Sequence, residues 1–448
     1  MRSIPQAAEP LMQELAGAFT RPTFRRFTVL LFAAILTTGR RTVTNLLRAV
    51  QTLAHGHPSS FHRVFSRCRW FHWRLAHGLA KFILGHWVPE GPVLICGDDT
   101  VDEHRGKKVY GKACHRDAVR STHSFTAYRW GHKWVVLAIL VKFPFSRRLW
   151  ALPVLVALYR SKDWNKKHQR RHKTPSELMQ QLLAGLIHWF PERTFIFAGD
   201  GGYGTHPLAR FAHRHRSHLT LVSRFYSDAN LYAPPPVVKG KRTGRPRKKG
   251  RKLAAPEKVV KRSPRCRLTV AWYGGGQRRI EVVSETSYWY KNGAGLVPVR
   301  WVFVHDRDGT HRDEYFFTTD PVMTARMIIE TFTARWSIET TFQELRAYLG
   351  LETTRGWCKK TVLRMAPCLF GLYSVVTLLY AQLPAHHTKT ATIEWPGKLD
   401  RTFSDAITSV RRWLWSEWVF ATPDHPSAFS KLSRPIRAVL LYALAPAA

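Results

Sequence analysis

Acidic residues are scarce in this 448-residue chain: 30 Asp and Glu stand against 70 Lys and Arg, a net charge of +40 with His neutral. So large an excess repels itself unless it meets a polyanion, although charge alone does not separate nucleic acid from an anionic membrane. Paired cysteines are missing too. The six cysteines, at 68, 96, 114, 266, 358 and 368, form no CxxC pair and no zinc spacing, which implies a reduced, cytosolic protein. Long hydrophobic runs are few. Residues 29–36 are too short to span a bilayer, and residues 1–22 lack an apolar leader core. Residues 366–383 come nearest to a span, but Pro367, Ser374, Thr377 and Gln382 interrupt them, so a buried helix and no membrane contact are expected. There is no internal repeat. What is plentiful, 45% hydrophobic residues and 17 Trp, excludes a disordered chain, and the length suits about two or three domains.

The few acids fall at telling places. Val93-Leu94-Ile95-Cys96 is a short apolar run behind Gly91-Pro92, which suits a strand buried on both faces, and it ends in Gly97-Asp98-Asp99-Thr100. Such a strand presents its last residues at a sheet edge, where ligands usually bind. A second run, from Thr194 to Ala198, ends the same way in Gly199-Asp200-Gly201-Gly202. Two strands ending in Asp need a partner that tolerates clustered negative charge, and a divalent cation is one. A third carboxylate, Glu339, sits on a stretch read as one helix from Phe332 to Arg346. At 3.6 residues per turn Phe332, Arg335, Glu339 and Arg346 share a sector of about 60°, while Glu344 points away.

Around these stretches the periodicity changes along the chain. Residues 1–90 read as helical, and a helix over 42–50, a break at His55-Gly56-His57-Pro58 and a restart at Ser59-Ser60 are compatible with helix-turn-helix DNA recognition or with a bundle that merely packs. Arg67, Arg69 and Arg74 stand among Phe65, Trp70, Phe71 and Trp73, a mixture suited to phosphate and stacking contacts. Residues 134–141 and 149–158 read as buried strands, and Thr174-Pro175-Ser176-Glu177 is a capping box that starts a helix running to about Trp189. A short helix over 208–213 and a strand over 219–222 follow. A basic stretch then interrupts the pattern, with Gly244-Arg245-Pro246-Arg247-Lys248 at its centre. It reads either as an AT-hook-like minor-groove binder through Arg245, Arg247 and Lys248 or as a solvated basic loop. Glycine turns between strands at 267–273, 279–288 and 297–304 predict a meander of hairpins. Trp289, in that meander, is a candidate for stacking on an unpaired base, with a cross-strand aromatic pair as the plainer role.

Asp, Asp and Glu in this order, with an aromatic-x2-Arg-x3-Glu-x6-basic stretch, resemble the DDE transposases of bacterial insertion sequences, closest to the group with a Tyr-x2-Arg-x3-Glu-x6-Lys helix. Phe332 stands where that group has Tyr, and Arg346 where it has Lys. The resemblance implies an α/β, ribonuclease H-like mixed sheet interrupted by a β-rich insertion, with helical ends. The expected organisation is a helical DNA-binding region over 1–90, the first part of the core over 91–225, basic loop and insertion over 226–318, the Glu helix over 319–350 and a helical tail over 351–448. It further implies catalytic, metal-holding Asp99, Asp200 and Glu339, with Asp99 preferred to Asp98 because the family's Asp precedes a Thr. Two Mg2+ ions, with Mn2+ as substitute, would serve each site. Phe332, Arg335 and Arg346 would face DNA. Implied partners are double-stranded DNA, as terminal inverted repeats and target, and a second copy forming a dimer on DNA in the bacterial cytoplasm, at the nucleoid. A metal nuclease of the same fold, or a domesticated DNA-binding protein without strand transfer, remains the alternative.

Overall fold

The computed structural model describes residues 4–117, 121, 122, 124–236, 247–389, 396–421 and 428–446. Five strands organise the core: β1 (Val93–Glu103), β3 (Tyr128–Lys142), β4 (Leu149–Tyr159), β5 (Phe195–Gly199) and β6 (Leu219–Arg224), with a short β2 (Ala113–Arg116) against the start of β3. They lie in the order β4-β3-β1-β5-β6, with β1, β5 and β6 parallel and β3 antiparallel to both neighbours. Leaving out β2, that is order 3-2-1-4-5 with the second strand reversed, the arrangement of a ribonuclease H-like sheet. Buried Val, Leu, Ile and Ala fill β3 from Val135 to Val141, as a strand covered on both faces requires.

Helix α7 (Pro175–Trp189) covers one face, and its capping box is formed: Thr174 Oγ1 accepts from Glu177 N, and the Glu177 carboxylate accepts from Thr174 N. Met179 reaches the sheet over Gly97, where a Cβ would fall 2.4 Å from the methionine Cε. The glycine before Asp98 is thus demanded by close helix–strand packing. The short α6 (Lys162–Lys167) precedes α7, and α8 (His206–Arg214) packs beside β6.

The expected hairpins are present, the second and third strands longer than expected and the first ending two residues earlier. After β7 (Leu231–Tyr232) and α9 (Pro256–Val260), β8 (Cys266–Ala271), β9 (Gln277–Lys291) and β10 (Gly295–Asp306) form a meander, turning at Gly274–Gly276 and at Asn292-Gly293. The sequence reading misses β11 (Glu314–Thr318). This strand pairs with both β10 and β6, so the insertion continues the core sheet, which reaches 11 strands among the described residues. Its apolar stretch, Tyr315-Phe316-Phe317, is too short to stand out, and tertiary pairing decides it.

The N-terminal part is helical: α1 (Glu9–Ala16), α2 (Arg21–Leu36), α3 (Val43–Ala49), α4 (Pro58–Ser66) and α5 (His72–Trp87). His57, rather than a serine, caps α4 by accepting from Ser59 N. The Glu-bearing stretch is not one helix. It divides into α10 (Ala325–Ala334) and α11 (Ser337–Leu349), and at the joint Arg335 and Trp336 make i→i−3 bonds to Phe332 and Thr333. In the tail, α12 (Lys359–Gln382) is long and apolar enough to cross a membrane, yet it is mostly buried within the protein. Helix α13 (Ala385–Lys389), then α14 (Phe403–Leu414), follow.

Candidate active site

Strand register brings the first two acids together. Gly97 of β1 pairs with Gly199, the last residue of the parallel β5, so Asp98 and Asp200, the latter in the turn just past β5, follow side by side, and the Asp200 charge acts on Asp98. Side-chain alternation then separates the acid pair. Cys96, Asp98, Thr100 and Asp102 share the side on which α11 packs, as shown by hydrogen bonds from Arg335 to Asp98 and from Arg346 to Thr100. Asp99 turns to the opposite side and pairs with Lys133 at 2.9 Å.

The structure therefore differs from the expected choice within the pair: Asp98, not Asp99, faces the Glu helix. Adjacency to Thr favours Asp99, but strand parity with Thr100 selects Asp98. Lys133, which neutralises Asp99, had no sequence signal of its own.

Arg335 ties the third carboxylate to the first. Its Nη1 donates to Asp98 Oδ2 at 3.1 Å and its Nη2 to Glu339 Oε1 at 2.8 Å. The kink between α10 and α11 turns this arginine inward. It is buried, lies 5.4 Å from the Phe332 ring centroid, and keeps its Nε without a partner. Helix α11 is seated by hydroxyls: Ser337 Oγ donates to Leu149 O at 2.7 Å and Thr341 Oγ1 to Ala151 O at 3.0 Å, satisfying carbonyls of β4. Glu339 itself stays accessible, its side chain 42% exposed.

Burial raises the Asp98 carboxyl to about 7; Arg335 opposes the shift, and the neighbouring Asp200 and Asp99 charges add to it. The Asp99 carboxyl is also raised by burial, against the pull of Lys133. Asp200 is held by the turn it starts, Oδ1 accepting from Gly202 N at 3.0 Å and its carbonyl from Ser223 Oγ at 2.7 Å. Three carboxylates facing one arginine leave an excess of negative charge suited to a divalent cation.

The remaining expected contacts divide. Phe332 is 0% exposed and packs on Phe316 at 4.3 Å, so it belongs to the core and not to a DNA-facing stripe. Arg346 is spent within the protein: besides Thr100, it donates to Val101 O at 3.1 Å and lies 3.5 Å from Glu352, docking α11 on β1. Trp289 is 7% exposed among His206, Phe225 and Phe317, which excludes both base stacking and a simple cross-strand pair; its partners across the strands are Leu231 and Val297. Arg247 and Lys248 are exposed, whereas Arg245 lies outside the described residues. Glu344 does point away from Glu339, but into the interior, where it accepts from Tyr373 Oη at 2.7 Å and pairs with Arg148 at 3.5 Å.

A family model described as DDE superfamily endonuclease matches residues 14–279, which carry Asp98 and Asp200. The chain belongs to the DDE superfamily endonucleases. A second model, described as archaeal putative transposase ISC1217, matches residues 265–370 of this DDE endonuclease, the part that carries Arg335 and Glu339. The two matches together span residues 14–370. A search of the curated proteins finds no match. Among solved structures the chain is similar to the piggyBac transposase synaptic complex with hairpin DNA, at 10% identity and a TM-score of 0.41, covering 98% of this chain and 81% of that one.

Proposed function

We propose that this DDE endonuclease is a transposase that cuts DNA at the ends of a mobile element and joins them to target DNA, using divalent ions held by Asp98, Asp200 and Glu339. The observation that carries this reading is the joining of Asp98 and Glu339 through one buried arginine, with Asp200 beside Asp98 just past the end of the adjacent strand. A carboxyl raised to about 7 by burial, despite Arg335 and with the Asp200 and Asp99 charges adding to the shift, fits a site that takes an added cation. When bound, two Mg2+ or Mn2+ ions would activate a water or 3′-hydroxyl nucleophile and stabilise the leaving oxygen.

The chain's own residues supply position. Arg335 fixes the orientation of both Asp98 and Glu339, and its burial against Phe332 keeps it from swinging into solvent. Lys133 compensates Asp99, so this acid needs no ion. Arg63, Arg67, Arg69 and Arg74, exposed on and around α4 and α5, together with Arg247 and Lys248, would bind phosphates of double-stranded DNA, both terminal repeats and target. Joining two ends calls for two active sites, hence a dimer assembled on DNA. A bacterial cytoplasmic, nucleoid-associated setting accords with the free cysteines and the +40 charge.

Incubation of the full chain with pre-cut end DNA and a plasmid tests the proposal. Joined products in Mg2+, absent in EDTA, are expected. Nicking without joined products would make it a metal nuclease, and DNA binding without either a DNA-binding protein; both would overturn the transposase reading.

A further inference from the structure

A second constellation lies on the same strand as Asp98, four residues further on and about 13 Å away at the usual rise of a strand. Asp102 of β1 sits directly opposite His132 of β3, and His104 follows at the end of β1. All three are buried, and their ligand atoms lie within 4.8 Å of one another. Gly131 allows the approach: a Cβ there would overlap Asp102 O at 1.6 Å.

The hydrogen bonds in this cluster leave one place unfilled. His132 Nε2 lies 2.9 Å from Tyr110 O, and a carbonyl only accepts, so Nε2 carries the proton. In the neutral ring Nδ1 then presents a lone pair. That Nδ1 has no hydrogen-bond partner, on a residue 1% exposed, and it faces Asp102 Oδ1 across 3.6 Å. Two acceptors confronting each other in a buried place call for a cation between them. On the other carboxylate oxygen, His104 Nε2 approaches Oδ2 at 3.2 Å.

The surroundings are those of a ligand set already oriented. Asp102 accepts from His132 N at 3.0 Å and from Trp134 Nε1 at 3.1 Å, and the Tyr110 carbonyl fixes the far nitrogen of His132. A metal-bound histidine almost always donates its other N–H in this way. His104 also borders an open cavity lined by Arg105, Lys107, Lys112 and Trp130, from which a water could complete four-coordination.

We propose that Asp102, His104 and His132 form a binding site for a divalent transition-metal ion, zinc by the chemistry of its donors, separate from the carboxylate site. Two imidazoles and one carboxylate suit zinc, whereas magnesium takes oxygen ligands. Binding takes the lone pair of His104 Nε2, the ring proton moving to Nδ1, and clamps the end of β1 to the start of β3, at the root of the segment that carries Arg105, Lys107 and Lys112. The ion serves as a clip.

The test uses the full chain carrying Asp98→Asn and Glu339→Gln, which disables the other site, freed of metal with EDTA. Titration with Zn2+ should give one equivalent per chain, and Co2+ should give visible d–d bands. His104→Gln and His132→Gln should each weaken Zn2+ binding by at least about 100-fold, and Zn2+ should raise the melting temperature of the parent but not of these variants. Should His132→Gln fail to fold, His104→Gln, at the rim of the cavity, decides alone. No Zn2+ uptake by the folded parent, or undiminished uptake by His104→Gln, would overturn the proposal, and neither result bears on the transposase reading.

Discussion

At the scale of the residue, the decisive feature is which way two adjacent acids point. Adjacent strand residues face opposite sides, and nothing in Gly97-Asp98-Asp99-Thr100 says which side α11 will occupy. The side is set by Arg335 and Arg346, which lie against Asp98 and Thr100. A pH effect belongs to this residue. Burial raises the Asp98 carboxyl from 3.8 to about 7, so folding retains a proton there that the unfolded chain releases. The contribution to stability is present below pH 3.8 and is lost as pH rises towards 7. Metal-free thermal melts should therefore show Asp98→Asn gaining more over the native chain at pH 8 than at pH 5.5; an equal gain at both would mean Asp98 is ionised throughout.

Elements explain what patterning could and could not reveal. The repeated apolar-run-Gly-Asp unit was legible because buried strands need continuous apolar residues and the packing of α7 needs glycine at 97. The break at Arg335-Trp336 was not, since both residues tolerate helix and the kink arises from docking on β4 and β1. Nor could the fates of Phe332 and Trp289 be read, because aromatic residues serve cores and nucleic acids alike. Two predictions test how α11 is held. Glu344→Ala leaves Tyr373 Oη and Arg148 without their acceptor and should cost about 1–3 kcal/mol in denaturant unfolding; a neutral result would contradict the burial of this acid. Arg346→Lys, which cannot span Thr100, Val101 O and Glu352 at once, should lower cleavage while leaving DNA affinity within about twofold. A large loss of affinity instead would return Arg346 to the DNA-facing surface.

For the whole molecule, charge is partly structural. Arg364 donates to the carbonyls of Val64 and Phe65 at the end of α4 and of Cys68 and Trp70 just beyond it, and Arg411 to those of Ile35 and Thr37 at the end of α2. Cations at helix C-termini satisfy orphan carbonyls and oppose the helix dipole, so the +40 excess overstates what is free for a polyanion. Affinity for end DNA should fall steeply with salt, each phosphate contact adding about 0.9 to the slope of log K against log salt. Replacing Arg247 and Lys248 by Ala should reduce that slope by at most about 2, whereas Arg411→Ala should destabilise the fold by about 1–3 kcal/mol and leave the slope unchanged. The reverse pattern would show the surface and structural arginines to be misassigned.

The central claim, that Asp98 with Asp200 and Glu339 forms the cutting centre, is tested most directly by one comparison. Single-turnover nicking of end DNA in Mg2+ should be measured for Asp98→Asn and Asp99→Asn side by side, with DNA binding and folding verified for both. Asp98→Asn should lose about a thousandfold or more, the scale of a group that acts on transition-state charge, and Asp99→Asn less than about tenfold, as a salt-bridged acid outside the centre. Full activity in Asp98→Asn together with loss in Asp99→Asn would contradict the account.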